Sequence, residues 1–141
     1  MRGYSDVTVG QPVPPVEFTP DAVGLLRFGA VTRNTHRIHY DTAFARSEGL
    51  ADPVVMAQLH GCLFHRAAAA LAGETGRVRE VAWQNRAPAH PGDRLVVTGT
   101  VREIDPARGE VTLDLVERCA APDGEDLGII CCRGHAVVVL A

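Results

Sequence analysis

The chain has 141 residues, 46% hydrophobic and 22% charged, enough for one globular domain over residues 1–141. A net charge of −3 leaves no basic footprint, which argues against a nucleic-acid partner; the 14 basic residues are all Arg. No apolar stretch is long enough to cross a bilayer and residues 1–10 hold no apolar leader core, so a cytoplasmic protein with no membrane partner is expected.

Two textures divide the chain. Residues 1–75 read as an arm, a helix, a polar cluster and a long helix, and residues 77–141 read as strands alone. Thr19-Pro20-Asp21 is a helix start, because Thr can cap and Pro fits the first turn. Val23, Leu26 and Phe28-Gly29-Ala30 then offer an apolar face. Asp41 caps a short helix through Arg46, which Gly49 ends. Asp52-Pro53 opens the next element, and from Val55 apolar residues recur at helical spacing (Leu59, Cys62, Leu63, Ala67, Ala70) up to a stop at Gly73.

Strands follow. Val81 and Trp83 alternate with Glu80 and Gln84; Leu95, Val97, Gly99 and Val101 share a face; Val111, Leu113 and Leu115 alternate with Thr112, Asp114 and Val116. A last strand runs from about Ile129 to Leu140. Turns at Pro91-Gly92-Asp93, at 106–109 and at Pro122-Asp123-Gly124 make the connections hairpin-like, so the sheet is expected to be antiparallel and wrapped around the long helix, an α+β class. The four cysteines (Cys62, Cys119, Cys131, Cys132) form no C-x-x-C pair and read as small buried residues in a reducing compartment. Adjacent Cys131 and Cys132 are expected on opposite strand faces.

Chemistry concentrates in Thr32 to Asp41, where two histidines, an asparagine, two arginines, a tyrosine and an aspartate fall within ten residues. By themselves His36 and His39 support three readings. They can be metal ligands, though no Asp, Glu or Cys partner stands at a recognised spacing. They can be polar residues finishing a helix end. Or one of them is a general base beside an apolar pocket, since imidazole exchanges protons near neutral pH.

The run Asn34-Thr35-His36-Arg37-Ile38-His39, with Ala43 or Ala45 behind it, resembles the G-D-x-N-P-[LIV]-H signature of the MaoC-like dehydratases, the (R)-specific enoyl-thioester hydratases of the hot-dog fold. The wording N-x-H-R-I-H-Y-D is similar to the branch that includes mesaconyl-type and mitochondrial hydratase relatives. Two further stretches extend the likeness. Asp6 to Gly10 with Val13-Pro14 looks like the family's N-terminal arm, and Arg86 to Asp93 looks like its R-x-P-x-x-P-G-D turn.

The resemblance implies a hot-dog fold and hydration of a 2-enoyl thioester, or dehydration of a 3-hydroxyacyl thioester, carried on coenzyme A or an acyl carrier protein. It implies a homodimer and no cofactor or metal beyond the carried substrate. His39 takes the catalytic histidine's position, and Asn34 takes that of the catalytic aspartate, a departure because an amide cannot accept a proton. His36 takes the position of the motif's Asn, with Tyr40 and Arg86 as supporting candidates. Ala57 stands where the family places a Gly whose backbone N–H polarises the thioester carbonyl.

Blander readings hold elsewhere. His60 and His65 read as packed or interface residues, His90 as exposed, His135 as structural and Trp83 as a core or dimer-face residue. Arg86 either holds its loop or meets a carrier phosphate. Two alternatives remain beside the hydratase: a tailoring enzyme that dehydrates, isomerises or cyclises a polyketide-like intermediate, and a non-catalytic hot-dog subunit of a hetero-oligomer. A thioesterase is disfavoured, because no acidic residue occurs from Met56 to Gly73.

Overall fold

A computed structural model describes residues 6–122, 124 and 128–140. Five antiparallel strands form one sheet in the order β1-β3-β4-β5-β2. The strands are β1 (Val16–Phe18), β2 (Arg77–Asn85), β3 (Arg94–Asp105), β4 (Glu110–Ala120) and β5 (Ile129–Val139). The helices are α1 (Ala22–Thr32), α2 (Thr42–Ser47) and α3 (Ala57–Ala72), with a 3₁₀ turn at Arg37–His39. β1 was read from sequence only as part of an arm. It pairs with β3, Val16 opposite Val97, and is too short for a period-2 pattern to register.

α3 lies against the sheet as its central helix. His60, Gly61, Leu63, Phe64, Ala67, Ala68, Leu71 and Ala72 face inward. The inward face is therefore rotated from the expected one: Cys62 and Ala70 are exposed. Small residues allow this close approach. A Cβ at Gly61 would stand 2.5 Å from the Trp83 ring, so only glycine lets that indole lie on the helix. The inward side chains of the strands meet α3 to make one core (Leu95, Val97, Val101, Val111, Leu113, Leu115, Ala136 and Val138).

Helix starts depart from expectation in instructive ways. Asp21, not Thr19, caps α1, with its carboxylate accepting the Gly24 N–H at 2.5 Å; Pro20 precedes the cap. The apolar face of α1 is only half used. Leu25 and Gly29 are buried, but Val23 and Leu26 stay 56% and 58% exposed, so they are free to line a cavity. α3 begins at Ala57 because Met56 before it is extended, φ −69 and ψ 139, and the preceding residues are tied elsewhere: the Val54 N–H donates to Ile38 O at 3.0 Å and the Val55 N–H to Ala89 O at 2.8 Å. Gly73 ends α3 with φ +68, as expected.

The cysteines are corrected most. Cys119 and Cys131 are joined as a disulfide with Cα atoms 6.2 Å apart, and Cys62 is exposed; of the four, only Cys132 is a buried free thiol. A bulge explains this. The β4–β5 register passes from Glu117↔Cys132 to Arg118↔Ile130, which leaves Cys131 as the extra residue, so the strict alternation behind the opposite-faces reading fails there. Of the expected turns, those at Gly92 and Gly109 have left-handed glycines, φ +93 and +64. Asp123 of the third, like residues 1–5 of the arm, lies outside the described residues.

Candidate active site

Each part of the polar cluster is placed by a local device. α1 ends where Arg33 adopts a left-handed conformation, φ 56, and the Asn34 N–H donates back to Gly29 O at 2.9 Å. Gly29 makes room for this turn, since a Cβ there would stand 3.0 Å from Asn34 O and 2.9 Å from Met56 Cε. The 3₁₀ turn then swings His39 inward, where it is buried. Asp41 caps α2 through Phe44 N–H at 3.0 Å and accepts from Arg37 at 2.6 Å; these contacts, the backbone N–H first, hold its carboxyl below the ordinary value of 3.8.

Two side chains meet at the centre. Asn34 Nδ2 lies 3.3 Å from His39 Nε2. His39 Nδ1 lies 2.8 Å from Val54 O. A carbonyl only accepts, so Nδ1 carries the hydrogen and the neutral ring keeps its lone pair on Nε2. The amide is oriented as well: Asn34 Oδ1 accepts the His36 N–H at 3.3 Å, which turns Nδ2 toward the imidazole. The pair is thus a basic nitrogen facing an amide donor, locked from behind by backbone groups.

Two cavities flank this pair. One of about 460 Å³ is lined by Ala22, Val23, Leu26, His39, Pro53 and Pro91. The other, about 250 Å³, is lined by Leu25, Gly29, Asn34, Thr35 and Met56. Leu26 and Tyr40 border both, which places His39 and Asn34 at their junction. The walls are mostly apolar with few polar groups, the composition of a small-molecule site. Met56 is followed by Ala57, the first residue of α3, and no side chain caps that helix start. Its first N–H groups are therefore of the kind that can take a developing oxyanion.

Other expected participants sit further off. The His36 and His39 ring centroids are 6.2 Å apart, and His36 Nδ1 accepts the Ile38 N–H at 3.3 Å, so the His36 ring shapes the turn and only its backbone N–H touches the pair. The Tyr40 hydroxyl donates to Thr35 O at 3.1 Å while its ring serves as a cavity wall. Arg86 is not brought to His39. It lines a separate cavity of about 320 Å³ together with Val54, Val55, His60, Asn85 and Ala87. His90 is half-buried rather than exposed, with Nδ1 donating to Pro53 O at 2.9 Å, which ties the Pro-rich turn to the segment before α3. His65 is exposed, and His135 bonds Glu80 at 3.0 Å across the β2–β5 pair.

Sequence reasoning missed one cluster. His60 Nδ1 lies 2.6 Å from Glu117 Oε1, and both side chains are buried, at 2% and 0% exposure. Cys132 stands beside them, and burial together with the Glu117 charge pushes its thiol up to about 12. A signal existed: Glu117 continues the inward series Val111, Leu113, Leu115, so a charge occupied a core position of β4.

The family model for hydroxyacyl-thioester dehydratase type 2 matches residues 7–91, which hold every element of the Asn34–His39 site. Solved structures share the fold. The (R)-hydratase from A. caviae involved in PHA biosynthesis superposes with a TM-score of 0.81 at 23% identity, over 96% of this chain and 98% of that one. R-hydratase PhaJ1 from Pseudomonas aeruginosa gives 0.85 at 22% identity, over 98% and 84%. A chain of the ChsH1–ChsH2 complex from Mycobacterium tuberculosis gives 0.83 at 19% identity, over 95% and 98%. The fold is therefore the expected hot-dog fold. No curated protein matches the chain in sequence.

Proposed function

Since the chain belongs to the hydroxyacyl-thioester dehydratase type 2 family, we propose that it adds water to a 2-enoyl thioester, or removes it from a 3-hydroxyacyl thioester, at the Asn34–His39 pair. The observation that carries this reading is the orientation of His39: Nδ1 is fixed on Val54 O and Nε2 faces Asn34 at the cavity junction. A water entering between the two side chains accepts a hydrogen bond from Asn34 Nδ2 and offers a proton to His39 Nε2. The water oxygen attacks C3 as His39 takes that proton, and the π electrons move through C2 onto the thioester oxygen. The Ala57 N–H at the start of α3 stabilises that enolate. The His39 imidazolium then returns the proton to C2.

One base thus makes both transfers, because the amide of Asn34 orients but cannot accept a proton. Coenzyme A or an acyl carrier protein carries the acyl group in this proposal, and the apolar cavities hold its chain. β2 forms one edge of the sheet, and its free edge gives a second copy a strand to pair with, as a two-fold dimer would.

A second reading has a specific observation behind it. Asn34 points a donor at the His39 lone pair where a carboxylate would supply a second base, so the chain can instead serve as the binding subunit of a mixed hot-dog pair. The ChsH1–ChsH2 and HadBC complexes from Mycobacterium tuberculosis show chains of this fold in hetero-complexes. Following loss of enoyl-thioester absorbance with crotonyl-CoA and a longer 2-enoyl-CoA separates the two. The hydratase reading expects turnover by the wild type and faster turnover by Asn34→Asp. Turnover absent from the wild type and restored only by Asn34→Asp supports the subunit reading, and turnover absent from both overturns the hydratase.

A further inference from the structure

We propose that His60, Glu117 and Cys132 form a binding site for a zinc-class divalent cation, one that clamps the central helix to the sheet. One ligand atom from each of the three buried residues lies within 4.8 Å of the others. They come from three elements: His60 from α3, Glu117 from β4 and Cys132 from β5. Each occupies an inward position of its element. Cys132 stands directly opposite Glu117 in the regular β4–β5 register, next to the bulge that frees Cys131 for its disulfide.

The chemistry of the cluster points to a cation. Glu117 Oε1 is bonded to His60, but Oε2 is buried with no hydrogen-bond partner. An orphaned buried carboxylate oxygen costs more than the roughly 1–3 kcal/mol of an unpaired neutral group, so a core seldom keeps one without a use. An imidazole, a carboxylate and a thiol together match borderline-soft metals rather than calcium or magnesium. Neutral imidazole, carboxylate and thiolate sum to −2, which a divalent ion neutralises inside an otherwise apolar core. Binding sends the Cys132 thiol proton to solvent, and the imidazole keeps its hydrogen on the ring nitrogen that does not hold the ion.

Geometry and access agree. Metal bonds of about 2.0–2.3 Å require ligand atoms about 3.3–3.8 Å apart in a tetrahedron, and the three atoms here already lie within 4.8 Å of one another. The Cys132 thiol donates to Asn85 Oδ1 at 3.2 Å, which puts an amide oxygen at the edge of the cluster. His60 and Asn85 both line the 320 Å³ cavity, giving an ion a route from solvent and the fourth position a water.

The test uses the full chain, kept oxidised, stripped with a chelator and dialysed against Zn²⁺ or Co²⁺. A Cys62→Ser background leaves Cys132 as the single thiol outside the disulfide. Metal analysis is expected to give one equivalent, and Co²⁺ a thiolate-to-cobalt charge-transfer band. Cys132→Ser removes the band. Glu117→Gln weakens binding by at least the roughly 10–100-fold that losing an outer-shell partner costs. A folded wild type that retains no metal overturns the proposal, as does a band or stoichiometry unchanged by Cys132→Ser. If a variant does not fold, the stoichiometry and the band of Cys62→Ser decide alone.

Discussion

Two histidines divide the molecule between them. His39 and His60 are both buried and both hydrogen-bonded through Nδ1, yet their partners give them opposite roles. His39 is held by a backbone carbonyl, an acceptor that does not titrate, and its Nε2 looks onto a cavity. His60 is held by a carboxylate inside the core, an arrangement that ties α3 to β4. What surrounds the ring, more than the ring itself, separates a group that can turn over protons from one that braces a fold.

The largest expected effect on stability belongs to the His60 region. Glu117→Ala leaves the His60 ring buried without its hydrogen-bond partner and should cost about 1–3 kcal/mol in chemical denaturation. A loss no larger than that of an exposed substitution would show that solvent reaches the pair and would blur the contrast with His39.

Legibility follows the same division. Asn34 and His39 are five positions apart, so their motif could be read along the chain. His60 and Glu117 are 57 residues apart and meet only when β4 folds against α3, so no local spacing reveals them. The meander and the central helix were legible because their apolar residues repeat with period 2 and 3.6. The rotated face of α3 was not, because the run Ala67 to Ala70 allows either face inward and Cys62 is apolar enough to suit a core. The disulfide escaped notice because it needs a bulge, which shifts strand alternation without a sequence signature here.

Thiol reactivity sharpens the comparison at the next level. In native protein a thiol reagent should label Cys62 alone, since Cys132 is buried with its thiol held protonated and Cys119 is bonded to Cys131. Unfolding without reductant should expose a second thiol, and reduction all four. Two fast thiols in the native state would mean that the core around Glu117 is open.

The smallest effect lies near His39. The folded Asp41 carboxyl sits below its ordinary 3.8, so its contribution is complete above that value and fades as pH falls through the folded pKa. Asp41→Asn should therefore narrow the stability gap to wild type on acidification below pH 3.8, with little dependence on pH above it. A gap that instead widens in acid would assign the Asp41 cap no electrostatic part.

The most direct test of the central claim is the enoyl-thioester hydration rate of His39→Ala beside wild type, with circular dichroism and denaturation on both. Loss of the base should lower turnover by roughly 10²–10⁴-fold while the fold persists. Turnover at the wild-type level in folded His39→Ala would contradict the account and move the chemistry away from the Asn34–His39 pair.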